Sequence, residues 1–167
     1  TGDVRARVRI SAGSVDGLTA WIYAPWQLGS GEPEAESGTL TLPADAQGAI
    51  AVGAYDIETG RLESYSSQGP TDDGRLKPEL VAAGTVSTSV GRLSFTGSSA
   101  ATPHVAGLAA LIVQRRRVDR SDRVSAILME QAEDLGPDGW DDAYGAGAAR
   151  AGELPGRCGC GAQGLGG

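Results

Sequence analysis

Histidine occurs once in these 167 residues, asparagine not at all and cysteine only twice. A zinc centre draws most of its four ligands from His and Cys, so one His and two Cys fall short of a set, and no metal site is assigned. Lysine is nearly absent as well, with Lys77 alone, and basic residues are outnumbered by acidic ones, 14 to 21, for a net charge of −7. A phosphate backbone would repel that excess, which argues against a general nucleic-acid binder. No apolar run reaches the roughly 18 residues that a membrane helix needs, so no segment reads as a membrane span. Aromatic side chains are few, three Trp, four Tyr and one Phe, against 26 Gly. A core made from this sequence must therefore be Ala, Val, Leu and Ile, with backbones in close approach. What is present is globular in composition, 40% hydrophobic and 21% charged. A chain of this length buries roughly 70% of the surface it would expose unfolded.

The first residues already alternate as a strand does, without an initial Met or a charged-then-apolar leader, and read as a piece of something longer. Val4, Ala6, Val8 and Ile10 alternate with Asp3, Arg5, Arg7 and Arg9, the pattern of a half-buried strand with a solvated face. A second strand is expected over Leu18 to Tyr23, and Gly29 to Gly38 is a connector rich in Gly, Ser, Pro and Glu. Residues 1–37 are thus assigned to a β segment, the end of an inserted β module. Two strands do not stand alone. Residues 38–155 form the main body and 156–167 a Gly-rich tail, whose Cys158 and Cys160 are poorly spaced for a mutual disulfide.

Within the body, Ala49 to Ala54 is a continuous apolar run, expected of a strand buried on both faces. Leu80 to Val90 offers two short β-like pieces around Gly84. Ala100 to Val113 is almost wholly small and apolar, which predicts a helix buried nearly all round, with Arg115, Arg116 and Arg117 meeting its C-terminal dipole. Ser121 is placed to cap another helix that carries Val124, Ile127 and Leu128 on one face. Asp138 to Asp142 lacks the ligand spacing of a calcium loop and reads as a solvated connection. Ala146 to Leu154 reads as a last short helix.

Chemistry concentrates in Phe95-Thr96-Gly97-Ser98-Ser99-Ala100-Ala101-Thr102-Pro103-His104-Val105-Ala106-Gly107. Two hydroxyls sit on a Gly-containing turn at the start of a helix, where unpaired N–H groups and the positive dipole end suit developing negative charge. Pro103 brings no N–H to the carbonyl of Ser99, so the helix is expected to open irregularly there. By itself the pattern favours a capping serine over a nucleophile that attacks a carbonyl with its own N–H holding the oxyanion.

This stretch resembles the serine-nucleophile motif of the subtilisin-like serine peptidases, Gly-Thr-Ser-x-Ala-Thr/Ser-Pro-His-Val-Ala-Gly. Registered on Pro103-His104, Ser99 falls on the catalytic serine, Ser98 on the usual Thr, and Ala100 where Met is common. Ile50 to Ala54 is similar to the buried strand ahead of the serine. Ser66-Ser67-Gln68-Gly69-Pro70 and Lys77-Pro78-Glu79 are similar to the family's Ser-Ser-x-Gly-Pro and Lys-Pro segments, and Tyr144-Gly145-Ala146-Gly147 to its closing Gly-x-Gly helix. The resemblance covers residues 39–154.

It implies an α/β fold, the C-terminal portion of a subtilisin-like three-layer domain with a mostly parallel sheet, preceded by the short β segment. It implies serine endopeptidase activity through an acyl-enzyme on Ser99, with Gly97 and Ser98 lining the substrate groove. The family's triad runs Asp, His, Ser along the chain, and its oxyanion Asn also precedes the serine. No His precedes Ser99 here, and His104, five residues on, lies about 140° round a helix from it. The expected partners are therefore a polypeptide substrate and the upstream half of the same peptidase domain, and these residues alone are expected to be inactive. No cofactor is visible in this half, although family members often bind calcium. The resemblance also implies a secreted or cell-surface protein of bacterial-type export. The alternative is an inactive subtilase homologue that keeps the fold for binding or regulation.

Overall fold

The computed structural model describes residues 37–89 and 94–152. The β segment assigned to residues 1–37 lies, but for its last residue, outside them, as does the tail with Cys158 and Cys160.

The apolar run before Tyr55 supplies strand β1, Val52–Tyr55, which pairs in parallel with β2, Leu80–Ala83, in the register Val52↔Leu80 through Tyr55↔Ala83. Side chains alternate across a strand. Ala54, Leu80 and Ala82 accordingly join one apolar cluster, while Tyr55 and Val81 join another. Gly84 then separates β2 from β3, Thr85–Ser87, as the sequence predicts, and β3 pairs antiparallel with β4, Ser94–Thr96. Two helices follow, α1 over Ser98–Arg116 and α2 over Ser121–Glu130. Both pack on the first cluster through Ala101, Val105, Ile112, Val124 and Leu128. The parallel pair is thus covered on one face by helices and on the other by Leu62, Leu135, Tyr144 and Ala148.

Three local expectations are corrected. Helix α1 is buried along one side only: Ala101, Val105 and Ile112 are covered, whereas Ala106, Gly107, Ala110, Leu111 and Val113 are exposed. Small apolar residues all round record what a helix is suited to pack against. Among the described residues, β1, β2 and α2 pack against it, with smaller contacts from β3 and β4. Ser121 is the first helical residue of α2 and Arg120 its N-cap, with no side-chain cap bond. Ala146 to Gly152 is not helical. Ala148 instead bridges Val81 in parallel and Glu133 antiparallel. Val81 N–H donates to Gly147 O at 2.9 Å and Ala149 N–H to Val81 O at 2.8 Å. The segment thereby acts as a further, one-residue strand on the free edge of β2.

The aspartates after Gly136 do more than meet solvent. Asp141 Oδ1 accepts the amides of Ala143 and Tyr144 at 2.7 and 2.8 Å, and Asp142 O accepts Gly69 N–H at 2.8 Å. A second side-chain-built turn runs from Thr71 to Arg75. Thr71 Oγ1 donates to Asp73 at 2.6 Å, and Arg75 Nε donates to both Asp73 oxygens at 2.9 and 2.8 Å. The bonds from Arg75 and then Thr71 hold the Asp73 carboxyl well down, from 3.8 to about 2. A carboxyl whose value is lowered by folding contributes stability above its unfolded value and loses it as pH falls through the folded one. Asp73→Asn is therefore expected to lower the urea midpoint at neutral pH, with the gap to the parent closing between pH 3.8 and about 2. The gap is small, because the pair is open to solvent. An unchanged gap at pH 2 would assign it to packing rather than to the charge.

Candidate active site

Gly97 sets the entry to the site. Its φ of 139° lies where a side chain is disfavoured, and its N–H donates to Gly84 O at 2.8 Å, which ties the start of α1 to the end of β2. The amides of Ala100 and Ala101 turn back to the Gly97 carbonyl at 2.8 and 3.4 Å. Those of Ser98 and Ser99 have no acceptor within the helix, as in any first turn. With the positive end of the α1 dipole they form a place where negative charge is stabilised. Ser99 is exposed in that turn.

The helix does not open irregularly. It is continuous from Ser98 through Pro103. Pro103 deprives only the Ser99 carbonyl of a helical donor, in a turn open to solvent, while Thr102 Oγ1 donates to Ser98 O at 2.9 Å. His104 is committed to its own helix: Nδ1 lies 2.8 Å from Ala100 O. A carbonyl can only accept, which assigns the proton to Nδ1. The bond goes to the turn behind the ring rather than to the Ser99 hydroxyl, in keeping with the expectation that His104 is not the base.

Beside this turn lies a cavity of about 420 Å³. Four stretches line it: Leu40 and Thr41 with Pro43 and Ala44, Ala49 to Val52, Tyr65 to Ser67, and Ser98 with Thr102 on α1. Of the three residues singled out in the sequence, Ser98 is in the lining, and Gly97 and Ser99 are its chain neighbours. The wall is mostly apolar, with hydroxyls from Thr41, Ser66 and Ser67. Ser66 Oγ is occupied, accepting Ala54 N–H at 2.9 Å, and so fixes the loop to β1. The Tyr65 hydroxyl donates to Gly84 O at 3.2 Å. Burial, reinforced by the Glu63 carboxylate, raises its value, so the phenol remains a protonated donor at neutral pH. Sequence reasoning did not find this cavity, because no one of its four stretches carries a motif for a binding wall. It also gave no role to Lys77 and Glu79 beyond their place in the Lys77-Pro78-Glu79 segment.

Among the described residues no group of His, Cys, Asp and Glu is arranged to hold a metal ion, and no helix is long and apolar enough to cross a membrane.

The described residues thus present a parallel strand pair, a helix with Ser99 exposed in its first turn, and a mostly apolar cavity beside that turn. The chain belongs to the subtilase family, whose model matches residues 11–147, beginning inside the stretch read from the sequence as a separate β segment. It is 32% identical over 170 residues to serine protease AprX of Bacillus subtilis (strain 168), covering 81% of this chain and 37% of AprX. It is 31% identical over 167 residues to bacillopeptidase F of the same organism, covering 86% of this chain and 12% of that protein. Among solved structures, the CspB protease of Clostridium perfringens superposes with a TM-score of 0.60 at 26% identity, covering 69% of this chain and 27% of that one. The chain therefore has the subtilisin-like α/β fold and spans well under half the length of these relatives.

Proposed function

We propose that Ser99 is the nucleophile of a subtilisin-type serine endopeptidase to which these residues contribute the serine-bearing half. The observation that carries this reading is the position of Ser99 in the first turn of α1, in register with Pro103-His104 of the family motif. In this mechanism the Ser99 hydroxyl attacks the scissile carbonyl, its proton passing to a His, and the tetrahedral oxyanion sits at the Ser99 N–H and the helix N-terminus. That His, its orienting Asp and the oxyanion Asn are assigned, on the family resemblance, to the upstream half of the same domain. The side chain next to the scissile bond enters the cavity beside Ser98, and Gly97 keeps the backbone of the groove open. These residues alone are inactive on this reading, since His104 is held by Ala100 and the sequence contains no second His. Export from the cell is part of the same proposal.

A fluorophosphonate probe applied to the full-length protein, with the adduct mapped by mass spectrometry, tests the assignment. The adduct is expected on Ser99. An adduct on Ser98 with Ser99 untouched would overturn it. An unlabelled but folded protein that still binds peptide would favour the inactive, binding homologue.

A further inference from the structure

Lys77 is the only lysine of the chain, and it is buried, 4% exposed. Its ammonium donates to Ala49 O and to Glu79 Oε1, each at 2.5 Å. The second carboxylate oxygen of Glu79 accepts the Ala51 N–H at 2.6 Å, and the backbone N–H of Glu79 donates to Ala51 O at 3.1 Å. Every one of these bonds ends on the backbone of residues 49–51 or within the pair itself. Those residues lead into β1; the Ala51 carbonyl is held from the β2 side by the backbone N–H of Glu79, and the segment forms one wall of the cavity beside Ser98 and Thr102. An ion pair taken out of water is a poor way to gain stability, since desolvation offsets most of the attraction. Here it does something a hydrophobic pair could not: its side chains satisfy the Ala49 carbonyl and the Ala51 amide of the wall segment, and fix their positions.

We propose that Lys77 and Glu79 are positioning residues for substrate: their buried pair clamps residues 49–51 and so sets how tightly the cavity holds a substrate side chain, without touching substrate or Ser99. The proposal rests on the reading of the cavity as the substrate site. A clamp of this kind acts on binding and leaves the nucleophile's reactivity alone, because the first turn of α1 is held separately through Gly97 and Gly84.

The test uses the full-length protein. Removing one partner leaves a buried charge alone and threatens the fold, whereas replacing both removes the charges together and costs only the two bonds to the Ala49 carbonyl and the Ala51 amide. The variant is therefore Lys77→Met/Glu79→Leu, with a cooperative thermal transition as the check on folding and Glu79→Gln, which keeps the shape, as the milder second variant. In a Ser99→Ala background, the affinity for a fluorescein-labelled tetrapeptide ending in Leu, read by anisotropy, is expected to fall about tenfold in the double variant and less in Glu79→Gln. With Ser99 intact, KM is expected to rise by a similar factor while kcat and the rate of labelling by a small alkyl fluorophosphonate stay within about twofold. Unchanged affinity in a folded variant would overturn the proposal. So would a labelling rate that falls as far as the affinity, since the pair would then act on Ser99. Failure of the parent to bind the peptide would overturn it as well. Peptide binding that responds to the pair in a protein whose Ser99 is neither labelled nor required for turnover would leave this inference standing and overturn the functional reading instead.

Discussion

Ser99→Ala in the full-length protein is expected to lower kcat for peptide hydrolysis by on the order of 10⁶, the size of loss a subtilisin shows when its serine is removed, while KM changes little. The expectation follows from what the residue alone supplies. On the proposed reading its hydroxyl forms the acyl intermediate, and its neighbours Ser98 and Thr102 are not equivalents. Thr102 Oγ1 is committed to Ser98 O, and Ser98 faces the cavity. The substitution leaves the Ser99 N–H and the helix N-terminus in place, so oxyanion stabilisation and substrate binding persist and a small residual rate over water remains. Steady-state kinetics on the variant check this, and a loss below about tenfold would remove Ser99 from the role of nucleophile.

Gly147→Ala is expected to cost roughly 3–5 kcal/mol of stability, enough to leave little of a typical domain's margin. Two effects add. The φ of 106° at Gly147 lies in the region that L side chains avoid, and a Cβ there would meet the Glu133 carbonyl and the Asp134 Cα. The obstacle is backbone, and that backbone is pinned: Glu133 and Ala148 exchange N–H···O bonds at 2.9 and 2.7 Å, and Gly147 O accepts from Val81. Relief by movement would therefore break the bridge that closes the edge of β2. Urea unfolding measures the change. A loss under about 1 kcal/mol would mean that the segment repacks without penalty.

The parts of the fold legible in the sequence were those whose signals are local. The apolar run Ala49 to Ala54, the break at Gly84 and the arginines closing α1 each report on a few neighbouring residues: the run overlaps β1, Val52–Tyr55, Gly84 separates β2 from β3, and Arg115 and Arg116 lie in the last turn with Arg117 as the left-handed cap. Local signals also explain the failures. Ala146 to Leu154 has the composition of a helix, but the backbone groups of Gly147, Ala148 and Ala149 are engaged by Val81 and Glu133, partners distant in sequence, and Gly145 and Gly147 adopt positive φ. Long-range pairing overrides propensity there. The irregular opening assigned to Pro103 assumed that a lost N–H must distort the turn, whereas a solvent-facing carbonyl accommodates it. The nucleophile motif could be read because its chemistry lies within one stretch. The cavity could not, because Leu40, Ile50, Ser66 and Ser98 meet only in three dimensions.

The bridge at Ala148 also bears on the order in which the chain is made. On a ribosome β1, β2 and both helices emerge before residues 147–149, so β2 meanwhile carries an open edge whose Val81 N–H and C=O lack their final acceptor and donor. An unpaired apolar edge is a template for the wrong neighbour. Pairing it demands closure of a long loop, the slow kind of contact in folding. The nascent chain thus passes through a vulnerable interval that ends only when the Gly-x-Gly segment docks, and conditions that lengthen that interval favour association between chains over completion of one.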